Sequence, residues 1–122
     1  MPFYFFKQAE EYYSAGGGPR STGEFTARDN DARLMMFPDE RASVTWRKIQ
    51  HEGFHQFAYA ACGEGLPIWL NEGMAEYFGE SLFTGDGFVT GILPPDRIKR
   101  AQDELTNKQF KSVENMISMS GE

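Results

Sequence analysis

The chain has 122 residues, of which 40% are hydrophobic and 15% aromatic, and its formal net charge is −6. This length and composition predict one packed domain, residues 1–122, rather than a disordered segment. The negative charge disfavours nucleic acid and anionic membranes as partners, and no apolar run approaches the roughly 18 residues of a membrane span. The single cysteine, Cys62, excludes an internal disulfide.

Before residue 38, the sequence predicts one helix followed by a β-hairpin. Residues 3–15 carry aromatic side chains at helical spacing, and the glycine-rich stretch 16–19 ends this helix. Residues 23–28 and 32–37 are predicted strands, joined by the turn-forming residues 29–31. The hairpin is expected to form a small sheet on one side of the core.

A long central helix is predicted after Pro38, with Asp39 or Ser43 as its N-cap. Its apolar residues lie on several sides, which indicates a helix that is buried in the middle of the domain. Glycines at 63 and 65 end it.

A second helix is predicted from Pro67 to about residue 80, running back along the first. Gly73 lowers helix stability unless another element packs closely there, so we expect it to contact the central helix. Together these elements predict an α+β fold that is mainly helical.

The C-terminal part is predicted to contain a loop and two short helices. Residues 81–95 are interpreted as an ordinary connection, with an overhang above a cleft as the alternative. Residues 96–107 read as a polar helix, and residues 112–119 as a last short one. Arg97 near the start of the polar helix is expected to be solvated, or else to meet a substrate carboxylate.

Both histidines of the chain lie in residues 51–55, which form an H-E-x-x-H motif. In a helix they lie four residues apart on one face, where both ring nitrogens can reach one cation. Neutral imidazole suits Zn²⁺, and a catalytic zinc takes three protein ligands and a water. Glu72 is the predicted third ligand, because the sixteen residues between it and His55 let one helix end and another run back.

Two further carboxylates have predicted roles. Glu52 lies beside the metal-binding face, from which it can take the proton of a zinc-bound water as a general base. Glu76 lies one helical turn beyond Glu72 on the same face. Because metal-bound histidines usually donate their other N–H to a carboxylate, Glu76 is predicted to orient His51.

The segment HEGFHQF, followed by LPIWLNEGMAEYF, resembles the gluzincin metallopeptidases, the group that contains the thermolysin and aminopeptidase-N families. It is most similar to bacterial peptidase-like domains of an aminopeptidase-N-like branch, which read H-E-x-x-H-Q and then P-x-W-L-x-E-G-x-A-E-Y-F. The resemblance covers residues 51–80. It implies a zincin-like core, in which a small β-hairpin or sheet packs on the active-site helix and an antiparallel helix carries the glutamate.

The resemblance implies that His51, His55 and Glu72 bind zinc, with Glu52 as the catalytic base and Glu76 supporting a ligand. The implied activity is that of a zinc metallopeptidase acting on a peptide or protein. An endopeptidase is expected, because the G-x-M-E-N segment that holds a free amine in aminopeptidase-N relatives is absent. The alternative is a zinc-binding domain with little or no turnover, used for binding or structure.

Two further features of the relatives have candidate counterparts. Their oxyanion donor is a tyrosine or histidine, and no histidine follows His55. Tyr77 lies about 140° round the helix from Glu72 and is expected to face away, so Tyr59, one turn past His55, is the candidate. A sheet edge in the relatives pairs with extended substrate, so the hairpin either has this role or only covers the core.

The location of the protein stays open from its sequence. Residues 1–7 are apolar but lack the basic start and cleavage site of a signal peptide. The resembling domains often lie in longer, exported proteins, which leaves open whether this chain is a piece of a longer one. The oligomeric state is not indicated.

Overall fold

A three-stranded sheet and two long helices organise residues 1–28 and 31–118, the part of the chain that the computed structural model describes. The strands are β1 (Phe3–Phe5), β2 (Gly23–Arg28) and β3 (Asp31–Met36), in the order β1–β3–β2. β3 pairs parallel with β1 and antiparallel with β2, so β2 forms an edge of the sheet. The result is a small α+β domain, as predicted, and about 48% of it is helical.

The prediction of a helix from residue 3 is wrong at its start. Residues 3–5 form β1, and the helix α1 covers only Ala9–Ser14. Aromatic residues favour strands, and pairing with the central strand β3 decides the conformation of this short run. α1 begins where the Glu11 carboxylate accepts hydrogen bonds from the backbone N–H groups of Lys7 and Gln8.

The predicted hairpin is confirmed, since β2 and β3 pair in a register that sets Gly23 opposite Met36. Two residues of its predicted turn, Asp29 and Asn30, lie outside the described residues. The side chains of residues 34–36 are buried and form much of the core. This agrees with the more apolar character of the second predicted strand.

The central helix α2 (Ala42–Cys62) is confirmed, but its predicted N-cap is wrong. Arg41 occupies the N-cap position without a side-chain hydrogen bond. Asp39 instead accepts from the backbone N–H of Arg41, and its own N–H donates to Thr45 Oγ1. These bonds stabilise the turn that leads into α2, and Ser43 already lies within the helix.

The prediction that α2 is buried in the middle of the domain is also wrong. Ala58 is its one buried residue, and the aromatic side chains of Trp46 and Phe57 are exposed. α2 packs on the sheet and on the helix α3 (Ile68–Gly79), and its remaining side faces outward.

A glycine does mark the contact between α2 and α3, but it is Gly79 and not Gly73. A Cβ atom at Gly79 would lie 3.4 Å from both the Arg47 carbonyl oxygen and His51 Cβ. A Cβ atom at Gly73 would meet nothing within 4 Å. The two helices therefore come into direct contact at the C-terminal end of α3.

The segment predicted as a loop contains a small hairpin, β4 (Leu82–Phe83) and β5 (Phe88–Val89). It is followed by α4 (Pro95–Thr106) and α5 (Val113–Ile117), which agree with the two predicted C-terminal helices. Residue 119, the predicted end of the last helix, lies outside the described residues. Among the described residues, no helix combines the length and apolar character needed to cross a membrane.

The close contact at Gly79 generates a prediction about stability. Replacing Gly79 by valine should lower the free energy of unfolding by about 1–3 kcal/mol, because the added methyl groups meet the backbone of α2. Gly73→Val is the matched control, and it should change the stability by less than about 0.5 kcal/mol because the space there is open. Urea unfolding followed by circular dichroism measures both values, and equal stability of the two variants would contradict the packing described here.

Candidate metal centre

Helices α2 and α3 run antiparallel and place the three predicted ligands together. Asn71, early in α3, meets His55, whereas Gly79 at its end meets His51, which precedes His55 on α2. Glu72 on α3 thus lies opposite the two histidines. The spacing of four residues puts both imidazoles on the side of α2 that faces α3.

The donor atoms of these three side chains converge. His51 Nε2 lies 3.2 Å from His55 Nε2, and these atoms lie 3.7 and 3.6 Å from the Glu72 carboxylate oxygens. Zinc bonds of about 2.0–2.1 Å at tetrahedral angles would set such atoms roughly 3.3–3.5 Å apart. The residues present therefore fit one divalent ion with only small side-chain movements.

Exposure differs between the ligands in a way that leaves the centre open on one side. The side chains of His51 and His55 are 20% and 12% exposed, whereas that of Glu72 is 57% exposed. The imidazoles are held between the helices, and the carboxylate borders solvent. Such a centre can accept an additional ligand from the solvent side.

Asn71 orients His55, a role that was not predicted from the sequence. Its Oδ1 atom lies 3.1 Å from His55 Nδ1. Because an amide oxygen can only accept, Nδ1 carries the proton and Nε2 offers its lone pair to the centre. The available signal was the position of Asn71 directly before Glu72 in the W-L-N-E-G segment.

Glu76 lies beside the other histidine, and Arg97 holds it there. The Glu76 Oε1 atom lies 3.9 Å from His51 Nδ1, and its Oε2 atom accepts from Arg97 Nη2 at 2.7 Å. Arg97 belongs to α4, so this ion pair connects the C-terminal region with the centre. Arg97 was expected from the sequence to be solvated or to meet a substrate carboxylate. It is instead paired with Glu76.

Glu52, on the same helix as the two histidines, bonds to the sheet. Its Oε2 atom accepts from the backbone N–H of Phe25 on the edge strand β2, at 2.8 Å. Burial raises the pKa of Glu52 above its ordinary value, although the hydrogen bond from the Phe25 N–H and the electrostatic interaction with His55 act to lower it. A carboxylate with a raised pKa is a stronger base.

The pKa of His51 changes in the opposite direction. Burial is the largest cause and lowers the pKa of His51 below its ordinary value. The electrostatic interaction with His55 acts in the same direction, whereas Glu76 and Glu72 act to raise it. The neutral form, which is the one that binds a metal ion, is therefore favoured.

A cleft of about 500 Å³ lies over the centre. It is lined by the two histidines, Glu52 and Glu72, by residues of β2, and by Tyr59. The Tyr59 ring packs against Phe25 with 5.7 Å between ring centroids, so the predicted oxyanion donor is at least within the cleft. Tyr77 points elsewhere, with its hydroxyl bonded to Thr90 Oγ1.

The predicted site residues thus lie together, with His51, His55 and Glu72 at the centre and Glu52, Glu76 and Tyr59 around them. Comparisons with protein-family models, curated proteins and solved structures find no match to this chain. A function for it must therefore be argued from the side chains of the cleft.

The burial of Glu52 generates a prediction about the metal-free protein. Its folded-state pKa exceeds its ordinary value of 4.5, so the wild type loses stability as the pH rises between these two values. Glu52→Gln keeps an acceptor for the Phe25 N–H and does not titrate. The variant should therefore have a higher free energy of unfolding than the wild type at pH 7, and this advantage should shrink as the pH falls towards 4.5.

Urea unfolding in the presence of a chelator, repeated across this pH range, measures the difference. Glu64→Gln is the control, since it removes a carboxylate from an exposed position of the same cleft. A Glu52→Gln variant that is less stable than the wild type at pH 7 would show that burial does not dominate.

The contact between Glu76 and His51 generates a prediction about metal affinity. Glu76→Gln should lower the zinc affinity about 10–100-fold, because the ligand histidine loses a charged neighbour at its other ring nitrogen. Glu104→Gln removes the same charge from an exposed ion pair on α4 and should leave the affinity unchanged. Competition with a chromophoric chelator measures both, and unchanged affinity in Glu76→Gln would exclude the orienting role.

Proposed function

We propose that the chain is a zinc-dependent metallopeptidase of the gluzincin type, with Glu52 as its general base. The observation that carries the proposal is the convergence of the His51, His55 and Glu72 donor atoms in the cleft that the half-buried Glu52 also lines. Two histidines and one glutamate are the donor set of catalytic zinc sites in zinc peptidases. Structural zinc sites instead use four protein ligands, commonly with cysteine.

The arrangement of the elements also supports a zincin-like core. The sheet packs on one side of α2, and α3 runs antiparallel along another. The histidines lie on the central helix and the glutamate on its neighbour, as the sequence motifs of the gluzincins require.

The proposed chemistry divides between the ion and the protein. Zinc, when bound, supplies a Lewis acid that activates water and polarises a carbonyl group. Glu52 accepts the proton of the attacking water, and it then donates that proton to the departing amine as the C–N bond breaks. Its raised pKa suits both steps, and the Phe25 N–H fixes its position.

Edge strand β2 supports a peptide as the substrate. The Phe25 N–H points to Glu52 rather than to β3, so alternate residues of β2 direct their backbone groups towards the cleft. Ala27 lies two residues further on and lines the same cleft. An extended peptide could pair with this edge and cross the centre.

The second candidate is a zinc-binding domain with little or no turnover. It is favoured by the engagement of Glu52 with the Phe25 backbone, which occupies one oxygen of the base. The binding of zinc alone does not separate the candidates, whereas the behaviour of a Glu52 variant does.

The test is digestion of a broad peptide library by zinc-loaded protein, with the zinc content measured in parallel. Wild type, Glu52→Gln and the control Glu64→Gln should bind equal zinc, because none of these changes removes a ligand. Wild type and Glu64→Gln should cleave peptides, whereas Glu52→Gln should cleave about 10²–10⁴-fold more slowly. Full zinc content without cleavage in any of the three would favour the second candidate, and undiminished cleavage by Glu52→Gln would exclude Glu52 as the base.

A further inference from the structure

The accessible surface of the chain is large for its mass. It amounts to 9001 Å² for 13.9 kDa, whereas a compact monomer of this mass exposes roughly 6,700 Å². The excess of roughly 2,300 Å² includes many aromatic and aliphatic side chains. Where such side chains form a contiguous patch, the patch marks a site of interaction with a partner.

Part of this surface is a groove on the side of α2 turned away from the candidate metal centre. It encloses about 460 Å³, and its apolar lining is formed by Gly53, Phe54, Phe57, Phe78 and Phe88. We call it the outer groove. None of the described residues that line it is charged, which is typical of the centre of a protein interface.

The β4–β5 hairpin extends the apolar surface beside the outer groove. Leu82, Phe83, Phe88 and Val89, which make up its two strands, are each more than half exposed. Strands of two residues are marginally stable without a covering element. Most of its side-chain surface is therefore uncovered within the described part of the chain.

The helix α4 has an uncovered apolar side. Ile98 and Leu105 are seven residues apart and therefore lie on one side of the helix, where both are exposed. The other side carries the pairs Lys99–Asp103 and Arg100–Glu104. Within Pro95–Thr106 no residue is buried, so the apolar side of α4 is also uncovered.

We propose that two copies of the chain associate, with α4 of each copy in the outer groove of the other. An uncharged apolar groove suits the apolar side of a helix, and the chain carries both surfaces. Because each copy places its α4 in the groove of the other, the dimer is closed and has two-fold symmetry. A stable interface needs about 800 Å² from each partner, well within the excess surface.

The salt dependence of association distinguishes the proposed dimer from a complex with a basic protein. Each copy has a formal charge of −6, so two copies repel one another at low ionic strength. Added salt screens the repulsion. Self-association therefore strengthens with salt, whereas binding to a basic protein would weaken.

The test is sedimentation equilibrium of the full chain at micromolar concentrations, with Phe57→Ser, Leu105→Ser and the control Trp46→Ser. Phe57 and Leu105 are 66% and 58% exposed, so their replacement leaves the core intact, and Trp46 is 64% exposed on α2 without lining the outer groove. Circular dichroism verifies the fold of each variant. The wild type and Trp46→Ser should have about twice the chain mass, and the other two variants should dissociate at least about 10-fold more readily.

Three results would overturn the proposal. One is a monomeric wild type. This includes the case in which α4 covers the outer groove of its own copy, so that Phe57→Ser lowers the stability of a monomer. Another is a dimer that neither Phe57→Ser nor Leu105→Ser weakens. The third is equal weakening by Trp46→Ser, which would show that general surface apolarity drives the association.

Discussion

The close antiparallel contact between α2 and α3 brings the three candidate ligands of the centre together. Because Gly79 has no side chain, the end of α3 approaches the backbone of α2 beside His51. Successive turns of α3 then bring Glu76 to His51, and Glu72 with Asn71 to the level of His55. A displacement of α3 would separate the carboxylate from both imidazoles at once.

The same arrangement places ionisable groups where they reduce stability. Burial raises the pKa of Glu52 and lowers that of His51, so in the metal-free protein each charged form is disfavoured relative to water. Sites that carry such costs are commonly functional, because a purely structural helix pair would be more stable with apolar residues there. The neutral His51 and the basic Glu52 are also the forms that a zinc peptidase would need.

Much of this could be predicted from the sequence, for identifiable reasons. Residues four apart on a helix share a face, so the motif at 51–55 was sufficient to bring both histidines together. The length of the segment before Glu72 was enough to predict the returning helix. The ion pair of Arg97 and the bond from the Phe25 N–H were not predictable, since they join elements whose relative position depends on the packing of the whole domain.

The errors have equally physical causes. Residues 3–5 have aromatic spacing that suits a helix, but pairing with β3 outweighs this local pattern. Gly73 and Gly79 both interrupt good helix formers in α3, and sequence alone does not indicate which of them faces α2. The apolar residues around α2 suggested burial, whereas Phe57 and Trp46 face outward.

Zinc K-edge X-ray absorption of the zinc-loaded protein tests the central claim most directly. Coordination by His51, His55 and Glu72 predicts one zinc per chain, with two imidazole nitrogens, a carboxylate oxygen and one further light atom at about 2.0–2.1 Å. His55→Ala should then remove one imidazole from the spectrum. Zinc bound without imidazole, or no stoichiometric zinc at all, would contradict the account.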